Sequence, residues 1–348
     1  MALYLSTYTS GKSEGIYLYS LDAETGSLTF KGLSGKASNP SWIQFDAGQK
    51  HLYGASEDEE GCIVAFKIDE TTKNLSVINS VPSHGADPCH LVLDKSGRHI
   101  LYANYSGGSV GVIPINMDGS VSEVTSHIQH ERATKANPQR QEKAHAHSIN
   151  LDPSGKFAIV LDLGGDIAEV YAFDEQKGTL THHDSFTFPN GAGPRHLTFN
   201  PHNPRQCFAV TELSNDVYSF DFDPSIGKLT KVQSVSAMPK GEQSGKDFAA
   251  EIKVHPKLPV LYTSVRGDDT IAIFKIDSDG KLTLIDNAST HGEHPRHFNI
   301  DNTGKWLLCA NKDSGRVEVF AVDQQTGRLT WHQDKAIERA DPVCVRFW

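Results

Sequence analysis

PVCVRFW, residues 342–348, ends the chain, and its pattern has already been used six times: PSWIQFD (40–46), PCHLVLD (88–94), AHSINLD (146–152), PRHLTFN (194–200), AAEIKVH (249–255) and PRHFNID (295–301). The last residues of these copies fall at intervals of about 48, 58, 48, 55, 46 and 47 residues, the period of propeller blades. After each copy comes a turn such as DKSGR, DPSGK or DNTGK, then a second apolar run (LYANY, AIVLD, CFAVTE, LYTSVR, LLCANK). A third run (CIVAFKID, AEVYAFD, VYSFDFD, TIAIFKID, VEVFAVD) has the alternation and β-branched content of a half-buried strand. A fourth follows a glycine turn: GTLTHH, GKLTKV, GKLTLI, GRLTWH. The chain opens on MALYLSTYT, GIYLYSLD and GSLTFKG, which match runs two, three and four with no first run before them. PVCVRFW supplies it. The sequence therefore predicts an all-β, seven-bladed β-propeller with four antiparallel strands per blade. Residues 1–348 form a single domain, and its last blade is built from about 336–348 plus 1–32.

Composition narrows the partners. With 43 Asp plus Glu against 33 Lys plus Arg, no general attraction to nucleic acid or to an anionic membrane surface is expected, so an anionic ligand must be drawn by local charge. Five cysteines (Cys62, Cys89, Cys207, Cys309, Cys344) form no CxxC pair, which fits free thiols in a reducing compartment. The start lacks a signal-peptide pattern and no apolar run reaches membrane-spanning length. A cytoplasmic protein, monomeric or at most a weak homodimer, is expected.

In a four-stranded meander the start of strand one, the end of strand two and the connection to the next blade share one face. Strand one is innermost, so its first residues rim the central funnel: Ser41-Trp42, Cys89-His90, His147-Ser148, Arg195-His196, Ala250-Glu251, Arg296-His297 and Val343-Cys344. The ends of strand two add Tyr8, Glu57, Tyr105, Asp162, Glu212, Arg266 and Lys312. Arg195, Arg266, Arg296 and Lys312 give this mouth a positive field on an acidic protein, which suits a phosphorylated or carboxylated small molecule. Two insertions, Ser126–Ala144 and Met238–Phe248, are read as connections overhanging the same mouth, either solvated loops or lids.

With seven such units, the two PRH copies, YLSTYTSGKSEGIY, AHSINLDPSGKF and TELSNDV, the chain resembles the lactonase family of seven-bladed propellers. That family includes propeller-type 6-phosphogluconolactonases and the related carboxy-cis,cis-muconate cyclase. The resemblance implies a catalytic set of His147, Arg195 and Glu212, and basic residues at Arg266 and Arg296.

Lactone opening needs water aimed at a carbonyl, a base for its proton, and positive charge where the oxyanion grows. Glu212 or His147 is the expected base and Arg195 the expected oxyanion partner. His196, Arg266, Arg296, His297 and Lys312 are expected to bind substrate, the cations holding a phosphate. The leading reading is hydrolysis of 6-phosphogluconolactone to 6-phosphogluconate. Its alternatives are a muconate-type cyclase, or a non-catalytic propeller that binds a protein; the absence of GH and WD signatures weighs against the last. A serine triad is not expected. His145 and His147 are spaced to share one strand face and, with Glu212 and His196, form a conceivable ligand set, but HxH alone is weak. No metal and no cofactor is expected.

Overall fold

The computed structural model describes residues 1–238 and 245–348. Among the described residues the strands form seven antiparallel sheets: six carry four strands in chain order, one of them with a short fifth strand added, and the seventh sets the last strand of the chain beside the first three. The one helical element there is the 3₁₀ turn Gln333–Lys335. Chain contacts divide the protein into two compact units. Residues 35–197 and 222–229 make one, holding three blades: Pro40 to Pro82, Pro88 to Gln129 and Ala146 to Thr187. Residues 1–34, 198–221 and 230–348 make the other, with the blades Phe248 to Ser289 and Pro295 to Trp331, and the blade that joins the chain ends. The fourth blade in chain order, Pro194 to Ser236, draws residues from both.

The second strand of each blade explains why the apolar runs are continuous. His99–Asn104, Phe157–Asp162 and Trp306–Asn311 are buried at every position, because sheets packed on both faces need apolar side chains pointing both ways. In the 35–197 unit, Leu101, Ala103 and Val110 of one blade pack on Ile149, Ala158 and Val160 of the next. Tyrosines tie blades where packing alone would leave a hydroxyl stranded. Tyr53 donates to Gly119 O at 3.1 Å, and in the other unit Tyr262 donates to Gly327 O at 2.7 Å.

The chain ends close one blade as the sequence predicts. Pro342–Phe347 pairs with Ala2–Thr7 in the register Leu3 to Phe347, Tyr4 to Arg346, Leu5 to Val345 and Ser6 to Cys344. Trp348 N–H adds a bond to Ala2 O at 2.9 Å. Two boundaries move. The outer strand of this blade runs Leu28–Lys36, past residue 32. Ile337–Glu338 pairs with Arg316–Val317 of the preceding blade, so the closing strand starts at Pro342 and not near 336.

A second correction concerns the Ser126–Ala144 insertion. Ser126–Gln129 is the outer strand of its blade, pairing Val110 with Ile128 and Val112 with Ser126. Its polar face points to solvent, which hid the strand among mixed charges. The remainder is tied down. Gln141 is fully buried, its amide donating to Leu163 O at 2.9 Å, and Thr134 N–H bonds Gly164 O at 3.0 Å. Gly164 is required there, since a Cβ would lie 1.9 Å from Lys143 O. Of the Met238–Phe248 insertion, residues 239–244 lie outside the described residues.

Val345 on the closing strand is fully buried, whereas Val77 on an outer strand is 59% exposed. Val345→Asp is expected to destabilise the protein by at least about 3 kcal/mol, as an unpaired buried carboxylate. Val77→Asp should change stability by less than about 0.5 kcal/mol. Urea midpoints at constant m-value check both.

Candidate active site

The two-residue alternation of a strand breaks at the start of the first strands. Pro40 pairs with Ser56 but Trp42 with Ala55, and Pro88 with Asn104 but His90 with Ala103. Ala146 faces Asp162 but Ser148 Leu161, and Pro295 faces Asn311 but His297 Ala310. In the closing blade Pro342 faces Thr7 and Cys344 faces Ser6. Each strand therefore carries one extra residue: Ser41, Cys89, His147, Arg296 and Val343. A bulge of this kind re-aims the extra side chain and frees it from the ladder.

The residue ahead of each of these prolines sits in the left-handed region: Asn39 (φ 38°), Asp87 (56°), His294 (62°) and Asp341 (52°). Its carbonyl accepts the N–H that follows strand two, at 3.0 Å for Glu57, 2.8 Å for Tyr105, 2.9 Å for Lys312 and 3.0 Å for Tyr8. Those four residues accordingly lie beside the first strands, as the topology predicted. Asp162 and Arg266 sit one residue earlier, paired within the ladder to Ala146 and Phe248.

In the 35–197 unit the bulges gather rings. His196 meets Trp42, His90 and His147 edge-on, with centroids 5.3, 5.3 and 5.2 Å away. Arg195, 2% exposed, donates from Nη1 to His196 Nε2 at 3.3 Å. That places the proton of a neutral His196 on Nδ1. Cys89 donates its thiol to His147 O at 3.3 Å, and Tyr105 stacks on His145 at 4.5 Å while meeting the His147 ring at 5.2 Å. Trp42 also caps the neighbouring strand, its indole donating to Leu91 O at 3.0 Å, and His90 Nδ1 accepts Ile149 N–H at 3.4 Å.

In the other unit the charges gather. Arg266 reaches Glu212 Oε2 at 2.8 Å while its Nε and Nη2 donate to Phe248 O and Ala249 O at 3.1 and 3.2 Å, so three partners fix the guanidinium. Arg296 lies over the Tyr8 ring at 5.3 Å. Lys312 pairs with Asp313 at 2.7 Å. His297 is turned to another cluster: Nδ1 accepts Val345 N–H at 3.3 Å and Nε2 lies 3.2 Å from Glu251 Oε2. Lys253 Nζ is 3.8 Å from Glu251 Oε1, and burial, only partly offset by that carboxylate, pushes its pKa down.

Arg266 pairs with Glu212, while Asp162 binds His130 Nδ1 at 2.7 Å and the His145 N–H at 2.8 Å. The shared face assigned to His145 and His147 does not survive the bulge between Ala146 and Ser148. His145 precedes the strand and turns to Glu142 at 3.0 Å and Tyr105 O at 3.1 Å. Among the described residues no three His, Cys, Asp or Glu side chains are grouped to hold a metal.

Sequence reasoning missed His294. Its Nδ1 bonds Asp313 Oδ2 at 2.9 Å, and its backbone N–H bonds Asp269 Oδ1 at 2.8 Å. Burial, then the charge of Arg266, push its pKa down to about 4 against the pull of Asp313, with Arg296 and Lys312 acting in the same direction as Arg266. A left-handed non-glycine residue costs about 1–3 kcal/mol. The signal was available: where other blades place Asn39, Asp87, Gly193 or Asp341 before the proline, this one places a histidine.

The family described as Lactonase, 7-bladed beta-propeller matches residues 2–347. The chain belongs to that family. Its all-β fold is the seven blades of four antiparallel strands, in a ring, that the repeats predicted. It is 34% identical to the 6-phosphogluconolactonase of Bacillus subtilis over 99% of this chain and 97% of that protein. It is 33% identical to the 6-phosphogluconolactonase of Pectobacterium carotovorum, over 92% and 91%. Among solved structures, the periplasmic gluconolactonase of Pseudomonas aeruginosa superposes with a TM-score of 0.93 at 31% identity, covering 99% of this chain and 98% of that one.

For this lactonase-family protein, Arg266→Met is expected to lose about 3–5 kcal/mol, because the carboxylate of Glu212, 1% exposed, would lose the guanidinium 2.8 Å from it. Adding Glu212→Gln should restore most of it, as read by urea denaturation. His294 gives a pH signature. With its folded pKa below the usual histidine value, the unfolded chain binds the proton first, so its stabilising contribution is present above about pH 6.5 and lost as pH falls toward 4. His294→Asn should flatten the stability slope across that window in a series of thermal melts.

Proposed function

We propose that the protein hydrolyses a phosphorylated sugar lactone, with 6-phosphogluconolactone going to 6-phosphogluconate. The observation that carries this reading is the family match over nearly the whole chain, with relatives named 6-phosphogluconolactonase aligned end to end. The chemistry of the residues supports it. Water adds through oxygen to the lactone carbonyl and gives its proton to Glu212 or His147. The ring C–O bond then breaks, and the ring oxygen leaves as a hydroxyl after taking a proton. Arg195 stabilises the oxyanion of the tetrahedral intermediate, a contribution of about 10² to 10³ in rate for one well-placed donor.

Arg266, Arg296 and Lys312 receive the phosphate. A net charge of −10 repels an anion in general, so these local cations must capture it. The assignment to the cytoplasm rests on the cysteine pattern, five in number with no CxxC pair, which suits a reducing compartment.

Acid release from fresh 6-phosphogluconolactone, measured against the spontaneous blank, tests the reaction. Glu212→Gln and Arg195→Ala should each lower kcat about 100-fold or more; a wild type no faster than the blank removes the proposal. Arg296→Ala should raise KM for the phosphorylated lactone about 10- to 100-fold and leave glucono-δ-lactone nearly unaffected. Equal effects on both lactones would remove the phosphate assignment.

A further inference from the structure

We propose that His294 reads a hydroxyl of the substrate: its Nε2, aimed by the hydrogen bond from Nδ1 to Asp313, accepts an O–H of a polyhydroxylated lactone or of the acid it yields. The inference deepens the lactonase reading and rests on it.

Three observations converge on this residue. Nε2 is buried, and no described protein group hydrogen-bonds it. The Asp313 carboxylate, 2.9 Å from Nδ1, takes the imidazole's one proton there, so Nε2 carries the lone pair. Asp313 is itself kept a carboxylate: burial works against its charge, but the Lys312 hydrogen bond and the neighbouring charges hold its pKa below the ordinary value. Lastly, the backbone at His294 is left-handed, a conformation that Asn39, Asp87, Gly193 and Asp341 provide before the corresponding prolines. The turn does not need histidine.

The neighbours say what the ring adds. Arg266, Arg296 and Lys312 all act on His294 electrostatically, and all are pure donors. They recognise carboxylate, phosphate or carbonyl oxygen and cannot accept from a hydroxyl. Glu212 is engaged by Arg266, and Asp313 by Lys312 and His294 itself. The same cations and the burial that depress the His294 pKa keep it neutral near pH 7, and a neutral acceptor among cations selects ligands that bring an anion and an O–H together. An aldonate has both; a fatty acid of the same length has only the anion.

Two variants test this in the full-length protein. His294→Asn installs a residue that tolerates the left-handed backbone and removes the ring. Asp313→Asn replaces the acceptor at Nδ1 with a group able to donate, which shifts the ring proton to Nε2. Dissociation constants for D-gluconate and hexanoate are measured by calorimetry at pH 7. Wild type should prefer gluconate, and each variant should lower that preference about 10-fold, the worth of one hydrogen bond, with hexanoate affinity little changed. In ¹⁵N-detected imidazole spectra of wild type, gluconate should move the Nε2 resonance and hexanoate should not.

A wild type without preference, or variants that keep it, overturns the assignment. A protein that fails to open any lactone while His294→Asn still abolishes the gluconate preference would sink the hydrolase reading and leave this one standing. Full lactonase activity with an unaltered preference in both variants would do the reverse.

Discussion

The innermost strand of every blade has one ladder edge with no strand beside it, and the chain must satisfy that edge with side chains. Trp42 caps Leu91 O, His90 caps Ile149 N–H, Asn299 caps Val345 O and His297 caps Val345 N–H. These caps come from the strand of the preceding blade, so polar contacts as well as apolar packing fix the blades at these three junctions. The histidine of the PRH pattern is thereby committed to structure at His297, and its counterparts Trp42 and His90 do the same work.

The bulge is what releases the residue before it. One residue too many leaves Cys89, His147 and Arg296 outside the ladder register, and their side chains are re-aimed without disturbing the pairing that follows. Each of these residues has its position fixed by a rigid sheet and its direction set by a local irregularity. Burial then sets the electrostatic character of each group. Arg266, held by a carboxylate and two carbonyls, is a preorganised cation, whereas Lys253 pays for burial with a lowered pKa.

Much of this was legible in the sequence. The split repeat, PVCVRFW answering MALYLSTYT, predicted the closing blade, and the second-strand endings predicted that Tyr8, Glu57, Tyr105 and Lys312 would sit beside first strands. What escaped were departures from period. The bulge at His147 broke the inference that His145 shares its face, and an early strand end moved Asp162 and Arg266 by one residue. Ser126–Gln129 was masked because an outer strand with a solvated face resembles a charged loop. His294 escaped because the repeats PSWIQFD, PCHLVLD and PRHFNID begin at the proline, although the residue before it differs in type from the Asn, Asp and Gly used elsewhere.

The central claim is that a cationic cluster with one neutral acceptor recognises a polyhydroxylated anion. The most direct measurement is a crystal structure with bound 6-phosphogluconate. The account predicts density with the anionic end against Arg266, Arg296 or Lys312 and a hydroxyl oxygen within hydrogen-bond distance of His294 Nε2. A fully occupied ligand bound away from all four residues would contradict it.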